Sequence, residues 1–406
     1  MNMMAGGHAM SVEIRQIVGR AELEQCYDVW DHSFDVGRPF FQMRLDHDRS
    51  YGPETTWGAW VDGELAAAIQ IFPYRAHYGK AVLRIAGIGN VATQPKFRHR
   101  GLAQMILRQQ IAWMRDMGFD LSLLFTGIPS FYQQLGWALF PSAPVYTIDP
   151  QSLKVGHEGH YQIRKTRPDG DTLPELMAVY HAMANGIPLA RVRDRTYWED
   201  WMTWSVEQDP VVWIARRANV VVAYLLATKT SAAPRTYAIA ECMYKPDEEA
   251  AALALLQRFS LEQQETSPIS LRLPLHHAFT RTAQVEERGA GTMWRGFNAS
   301  RLLEHVAPEL DRRWAAMESE HRVMTLAVSM GDALAFRLRL GADGVTVLPP
   351  TAAKVTFDDV CQLSWTDLLS LLLLGQVPES LSNKHEHVLG ELFPKSFPFV
   401  WPIDHF

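Results

Sequence analysis

The chain has 406 residues, two to three times the length of a usual domain of roughly 100 to 200 residues, so we expect two or three cores. A composition of 47% hydrophobic, 21% charged and 11% aromatic residues is that of a globular protein, and it excludes an intrinsically disordered, collagen-like or coiled-coil chain. The formal net charge of −6 argues against a non-specific nucleic-acid binder, which needs an excess of Lys and Arg, and suits a neutral or cationic ligand.

Three cysteines, Cys26, Cys242 and Cys361, are too few for a disulfide framework and too far apart for a zinc knuckle. We therefore expect a cytoplasmic protein, with secretion left open. The longest apolar run, residues 368–374, is much shorter than the ~20 residues that cross a bilayer. The first ten residues lack the basic and apolar segments of a secretory signal.

The first predicted elements are three antiparallel strands, followed by a helix, a buried strand and a short second helix. A third strand that contains Gly87 and Gly89 indicates a bulge or a close backbone approach. Apolar residues at helical spacing then predict a helix that ends at Gly118. The predicted strands are residues 55–61, 64–75, 81–93 and 119–125, and the short helix ends near Gly136.

A weaker copy of this order follows and predicts an internal duplication. Its strands are residues 211–215, 220–228, 236–244 and 269–273, and its helix is 247–264. Further on, strands are predicted at 333–340 and 345–348, and Ser364 and Asp367 have the spacing of a capping box at the start of a helix. The predicted fold class is α/β, mixed with α+β character, in three domains of residues 1–150, 151–295 and 296–406.

The connection from the third strand to the first helix carries the most information. Its residues 96–101 place three cations and a glycine at the helix start, where exposed N–H groups and the helix dipole favour phosphate. A side chain at Gly101 would stand between the backbone and a pyrophosphate, although we expect most residues to fit the backbone there. The alternative interpretation is a basic, solvated loop.

The pattern Arg98-x-x-Gly101-x-Ala103 after an interrupted strand resembles the acyl-coenzyme-A pyrophosphate loop of the GCN5-related N-acetyltransferases (GNAT). Tyr132 stands where that family has its tyrosine acid. The run after Tyr132, the chain length and the closing residues 401–406 resemble the Eis-like (enhanced intracellular survival) acetyltransferases. That resemblance implies tandem acyl-CoA N-acyltransferase domains, the second divergent, a sterol-carrier-like C-terminal domain and a homohexamer.

The resemblance also implies roles for individual residues, with acetyl-CoA as the acyl donor. Tyr132 would be the general acid and the terminal carboxylate of Phe406 the general base. A tyrosine has a reference pKa of about 10, so it keeps its proton at rest and can pass it to a leaving thiolate. The donor-binding residues would be Val91, Ala92, Thr93, Arg98, His99, Arg100, Gly101, Leu102, Ala103, Gln104, Gly127 and Ile128.

The final segment is too apolar and rich in proline for a solvated tail, so we expect it to be packed and its carboxylate to be partly desolvated. The second copy has acidic residues 247–249 where the first has its basic loop, and these would repel a pyrophosphate. We therefore expect it to be scaffold. The histidines lack the spacing of zinc ligands, and no metal is assigned.

An acidic amino-terminal helix is the predicted acceptor site. Its alternative interpretation is a solvated acidic face; as a site, it would attract a polyamine or an aminoglycoside. The residues proposed to bind the acceptor are Asp28, Trp30, Asp31 and Asp35.

The leading hypothesis is an N-acetyltransferase that acts on a cationic amine, either a small molecule or a lysine side chain. A lipid- or sterol-binding protein with an inactive first domain is the second hypothesis. An acyltransferase with a longer acyl donor is the third, since a terminal carboxylate base is also found in N-myristoyltransferases.

Overall fold

The computed structural model describes residues 11–153, 161–230, 237–264, 268–286, 291–317, 324–330, 333–349 and 359–406. The first ten residues, where no secretory signal is expected, lie outside this part of the chain. The first sheet has the order β1-β2-β3-β4-β5-β14-β6. Its strands are β1 (Val12–Gln16), β2 (Thr56–Val61), β3 (Glu64–Tyr78), β4 (Ala81–Thr93), β5 (Leu121–Phe125), β6 (Ala138–Phe140) and β14 (Thr292–Gly296).

Four helices accompany this sheet: α1 (Gly19–Asp31), α2 (Arg38–His47), α3 (Leu102–Asp116) and α4 (Pro129–Gln133). Helix α3 buries one face, including Leu102, Ile106 and Met114, because these apolar residues recur at helical spacing. Gly118, with φ +78°, follows its last turn as predicted. The predicted strands 55–61 and 81–93 are β2 and β4, whereas β3 continues beyond the predicted end at residue 75 to Tyr78.

A second unit repeats the order of one strand, two helices, three antiparallel strands, a helix and a strand. Its main sheet has the order β11-β10-β9-β8, and a small sheet has the order β12-β7-β13. The elements are β7 (Val145–Ile148), β8 (Gln162–Thr166), α5 (Leu173–Ala184), α6 (Arg195–Trp204), β9 (Val211–Arg217), β10 (Val220–Lys229), β11 (Tyr237–Tyr244), α7 (Glu249–Glu262), β12 (Ile269–Arg272) and β13 (Ala283–Glu286).

The last unit packs helices on a four-stranded sheet of order β17-β16-β15-β18, in which β15 and β18 are parallel. The capping box of Ser364 and Asp367 is confirmed at the start of its second helix. The elements are α8 (Ala299–Ala315), β15 (Met324–Met330), β16 (Ala333–Gly341), β17 (Gly344–Leu348), β18 (Asp359–Leu363), α9 (Trp365–Leu374) and α10 (Glu379–Leu392).

Two strands cross between the first and second units. Strand β14 follows the second unit in the chain but lies between β5 and β6 in the first sheet. Strand β7 directly follows β6 of the first sheet in the chain but pairs with β12 and β13 in the small sheet of the second unit. The units are therefore tied together by main-chain hydrogen bonds as well as by side-chain packing. Within the described ranges, no helix is both long and apolar enough to pass through a bilayer.

Candidate active site

Strands β4 and β5 separate part of the way along the first sheet. Their parallel pairing starts at Ile85 with Leu121 and ends at Ile88 with Leu124, while β4 continues to Thr93. Beyond Ile88, β4 pairs only with β3, so its edge toward β5 is open. An open strand edge offers unpaired N–H and C=O groups to a ligand.

A bulge lies at the opening. Ala68 pairs with Ala92 and Gln70 with Gly89, so that two β4 residues oppose one β3 residue. The irregularity includes Asn90, whose φ is +52°. Both predicted alternatives at Gly87 and Gly89 are confirmed: the bulge begins next to Gly89, and a β-carbon at Gly87 would overlap the ring of Phe406.

The start of α3 lies directly after this strand. A short 3₁₀ turn, Pro95–Phe97, leads into it, and no side chain caps the helix at Gly101. The N–H groups of its first turn are therefore available to an anion. The Nε of Arg98 donates to the carbonyl of Thr93 at 3.3 Å, and Lys96 pairs with Glu64, so the first part of the loop is held next to the strands.

The expectation that most residues would fit the backbone at Gly101 was wrong. Its φ is +74°, in the left-handed region, and His99 also has a positive φ of +64°. Only glycine enters this region without cost, and Asn and Asp tolerate it better than other residues. A β-carbon at Gly101 would meet no atom within 4 Å, so the restriction is conformational and not steric.

Tyr132 lies on α4 and is 6% exposed. It belongs to the apolar cluster that also contains Ile88, Leu102 and Leu124, the residues around the opening and the helix start. Burial raises the pKa of Tyr132 to about 12, so its phenol is neutral at physiological pH. Gly127 and Ile128 lie between β5 and this helix, and Ile128 is 61% exposed.

The chain ends at the opening between the strands. The ring of Phe406 stacks on Phe72 with centroids 5.4 Å apart, and it also contacts Tyr74 and Phe125. The terminal carboxyl carbon lies 3.5 Å from the position that a β-carbon on Gly89 would occupy. The predicted packing of the final segment is confirmed by Phe399, Trp401 and Ile403, which are at most 7% exposed.

The predicted acceptor wall is only partly present. Trp30 is fully buried and donates to the carbonyl of Ala68 at 3.3 Å, so its assignment to an exposed wall was wrong. Trp30 lies on the apolar face of α1, which packs against the sheet. Asp28 pairs with Arg38. Asp31 and Asp35 are exposed and have no ion-pair partner among the residues that the structure describes.

Sequence reasoning did not find a buried ionic network beside the final segment. The guanidinium group of Arg193, with no exposed surface, donates two hydrogen bonds to Glu241 and two to Asp404. Tyr197 donates to Asp404 at 2.8 Å, and Tyr224 donates to Glu241. The partners are up to 211 residues apart, so no local pattern could have indicated them.

Two cysteines and His277 are buried in the protein core. Cys26 and Cys242 are buried free thiols. His277 is a core residue 1% exposed, and burial lowers its pKa to about 4. In the described ranges, His, Cys, Asp and Glu side chains form no group of three or more that could hold a metal ion.

Residues 13–140 match the family described as the acetyltransferase (GNAT) domain. No curated protein is significantly similar to this sequence. Among solved structures, a conserved protein of Enterococcus faecalis V583, called a probable N-acyltransferase, matches with a TM-score of 0.74 and 17% identity, over 98% of this chain and 100% of the other.

A GCN5-related N-acetyltransferase from Anabaena variabilis matches with a TM-score of 0.70 and 16% identity, over 98% of this chain and 100% of that one. Eis1 from Mycobacterium abscessus matches with a TM-score of 0.65 and 16% identity, over 96% and 99%. At these identities the similarity shows a shared fold along nearly the whole chain. The family match covers the strand opening, the start of α3 and Tyr132. It identifies residues 13–140 as a GNAT-type acetyltransferase domain, and the protein as an acyl-CoA-dependent acyltransferase.

Proposed function

We propose that the protein transfers an acetyl group from acetyl-CoA to a primary amine of a cationic substrate, such as an aminoglycoside, a polyamine or a lysine side chain. The observation that carries the proposal is the position of Phe406 at the open part of β4. A carboxylate there would meet an amine at the end of the strand that presents the thioester.

The donor would lie along the opening and across the start of α3. The backbone of Val91, Ala92 and Thr93 would bind the pantetheine arm and polarise the thioester carbonyl. The N–H groups of residues 99–104 would hold the pyrophosphate, helped by the positive charges of Arg98 and Arg100.

The reaction needs one base and one acid. The Phe406 carboxylate would take a proton from the ammonium group of the acceptor, and the free amine would then attack the thioester carbon. As the tetrahedral intermediate collapses, the C–S bond breaks and Tyr132 would give its proton to the sulfur. The attacking nitrogen would lose its second proton to form the amide, and this proton restores the Tyr132 phenol. A thiolate released beside the same apolar cluster is poorly solvated, which raises its affinity for that proton.

Asp404 is not suited to act as the base. Burial alone would raise the pKa of its carboxyl, but Arg193 donates two hydrogen bonds to it and holds the pKa below the ordinary value. With 2% exposure and its oxygens already bonded, this carboxylate is not accessible to an acceptor. The terminal carboxylate of Phe406 is therefore preferred to Asp404 as the proposed base, with His405 or a bound water as the alternatives if the terminus is not used.

The proposal extends to the remaining organisation of the chain. The element order repeated from β8 to β12 supports a divergent acetyltransferase-like unit at residues 151–295, apart from the strand that returns to the first sheet. We further propose a sterol-carrier-like unit at residues 296–406 and a homohexamer in the cytoplasm. Light scattering would give six times the 46.0 kDa chain mass for the hexamer.

Release of the coenzyme A thiol, measured with acetyl-CoA and a panel of acceptors, tests the proposed activity. We expect rapid release with aminoglycosides, polyamines or lysine peptides, and only the slow background rate with matched alcohols that lack an amine. Propionyl-, octanoyl- and myristoyl-CoA in parallel would separate an acetyl donor from a longer acyl donor. Release that is independent of every amine, or restricted to long acyl donors, would contradict the proposal.

A further inference from the structure

The final segment of the chain connects the second unit to the proposed active site. Phe399 and Trp401 pack in the core of the second unit, and the N–H of Phe399 donates to the carbonyl of Pro188 at 3.1 Å. Four residues after Trp401, His405 stacks on Phe125 at the end of β5, with ring centroids 4.7 Å apart. Phe406 then enters the opening beside β4.

The buried network holds this segment at its last turn. The 3₁₀ turn Pro402–Asp404 packs against β11 of the second unit. Within it, Asp404 is bonded by Arg193 through Nε at 3.0 Å and through Nη2 at 2.6 Å. Tyr197 donates both to Asp404 and, at 3.1 Å, to the carbonyl of Ile403. Asp404 therefore anchors the segment, and only His405 lies between it and Phe406, which bears the terminal carboxylate.

A planar guanidinium that binds a carboxylate through two nitrogen atoms fixes orientation as well as distance. The position of the anchor is set in turn by Glu241, which takes the other two hydrogen bonds of Arg193. Burial of these charges costs desolvation energy, and buried ion pairs often add little stability in comparison with apolar packing. Stability alone is therefore a weak reason for the network.

We propose that Arg193 and Asp404 are positioning residues that place the terminal carboxylate of Phe406 beside β4. The inference rests on the proposed function, in which that carboxylate is the base. A general base must lie within about 3 Å of the proton that it removes, and a displacement of 1 Å can lower a rate about 10²-fold. The second unit, which lacks a basic phosphate loop, would thus contribute to catalysis by fixing the end of the chain.

The main test compares Asp404→Asn with Glu309→Gln, a control in the third unit. Both changes remove a buried carboxylate that binds arginine. Glu309 pairs with Arg312 and Arg313 and accepts from the N–H of Lys80, and among the described residues it is not hydrogen-bonded to Arg193, Asp404 or Phe406. We expect Asp404→Asn to lower kcat roughly 10- to 100-fold while acetyl-CoA affinity changes less than about twofold. Glu309→Gln should keep kcat within about twofold of wild type, even if its melting temperature falls as much as that of Asp404→Asn. Equal kcat losses in both variants would overturn the positioning role.

A milder pair covers the case in which Asp404→Asn does not fold. Tyr197→Phe removes the hydroxyl that holds the final turn, whereas Tyr244→Phe removes an equally buried hydroxyl that accepts from the N–H of Ala278. We expect kcat to fall only in the first. The deficit should shrink as pH rises, because an acceptor that has lost its proton to solvent needs no base. A deficit that stays constant across pH would contradict the proposal.

A double-mutant cycle separates this inference from the proposed function. If Asp404 acts through the terminal carboxylate, Asp404→Asn should have almost no further effect on kcat once the carboxyl terminus has been extended. Additive losses would overturn the positioning role and leave the terminal base in place. An extension without effect on kcat would instead overturn the terminal base, and with it this inference.

Discussion

The two repeated units differ most at the helix that follows their third strand. In the first unit, α3 begins after a basic loop, with no side-chain cap and with Gly101 in a left-handed conformation. In the second unit, α7 begins beside Glu248, which is 3% exposed and binds Arg217 and Tyr161. The residue before α7 is thus an acidic side chain bound to Arg217 and Tyr161, whereas the residue before α3 is a glycine; in neither helix does a side chain cap the first turn.

The preceding strands differ in a related way. Both have an irregular register, at Asn90 in β4 and near Ala240 in β11. Strand β4 has an open edge that receives Phe406, whereas β11 carries Glu241 and packs against the turn that ends at Asp404. The comparison indicates that one unit has an open strand edge beside the chain end, while the other holds the segment that leads to that end.

Loss of the proposed acid would give the largest effect. We expect Tyr132→Phe to lower kcat roughly 10²- to 10⁴-fold, the usual contribution of a positioned acid, with little change in acetyl-CoA affinity. The ring and its packing are kept. Because burial raises the pKa of Tyr132 to about 12, wild-type kcat should show no loss from its ionisation between pH 7 and about 10. A kcat within about twofold of wild type would make Tyr132 a core aromatic and not the acid.

Extension of the carboxyl terminus is expected to have the next largest effect. Each added residue moves the terminal charge by up to about 3.5 Å, beyond the reach of a general base, and kcat should fall roughly 10²-fold or more. The control carries the same tag at the amino terminus. Both proteins are checked for thermal stability and acetyl-CoA affinity, which should be equal. Equal kcat values would show that the position of Phe406 is not used for proton transfer.

A negative charge at the start of α3 should make the first unit resemble the second, in which an acidic residue precedes the helix. We expect Gly101→Asp to weaken acetyl-CoA binding roughly 10²-fold, because a carboxylate would face the pyrophosphate. Gly101→Asn is the matched control, since both side chains have the same size and tolerate a positive φ. Its loss should be about tenfold or less, and the difference between the two should shrink at high salt. Equal affinities in calorimetry would remove the phosphate site from this helix.

The smallest effect is expected in the second unit. Glu248→Gln weakens the ion pair with Arg217 and the hydrogen bond from Tyr161, so the melting temperature should fall by about 2–4 °C. Acetyl-CoA affinity and kcat should stay within about twofold of wild type. A second molecule of acetyl-CoA, bound by the variant but not by wild type, would show that Glu248 had been masking a donor site.

The sequence predicted those parts of the fold that depend on local patterns. Alternation, a tight turn and helical spacing placed β2, β4 and α3, and capping residues placed the start of α9. It could not predict β14, because that strand is short and its neighbours β5 and β6 lie more than 150 residues earlier in the chain. Its partners are chosen by tertiary packing and not by local preference.

The candidate site shows the same division. The basic loop, Tyr132 and the packed chain end could be recognised because composition and spacing mark them. The burial of Trp30 could not be recognised, because it depends on which face of α1 meets the sheet. The positive φ of Gly101 could not be recognised either, because it depends on the local geometry of the turn before α3. The Arg193 network joins charges from three distant segments, a pairing that a single sequence does not encode in any spacing.

The crossing of β14 affects how the protein must be made. During synthesis, residues 292–296 leave the ribosome long after β5 and β6, so the first sheet exposes two unsatisfied strand edges while the whole second unit is being translated. Contacts of such large sequence separation form slowly. A fragment cut at residue 150 would keep those edges permanently and should aggregate, which makes the acetyltransferase domain dependent on a strand encoded far outside residues 13–140.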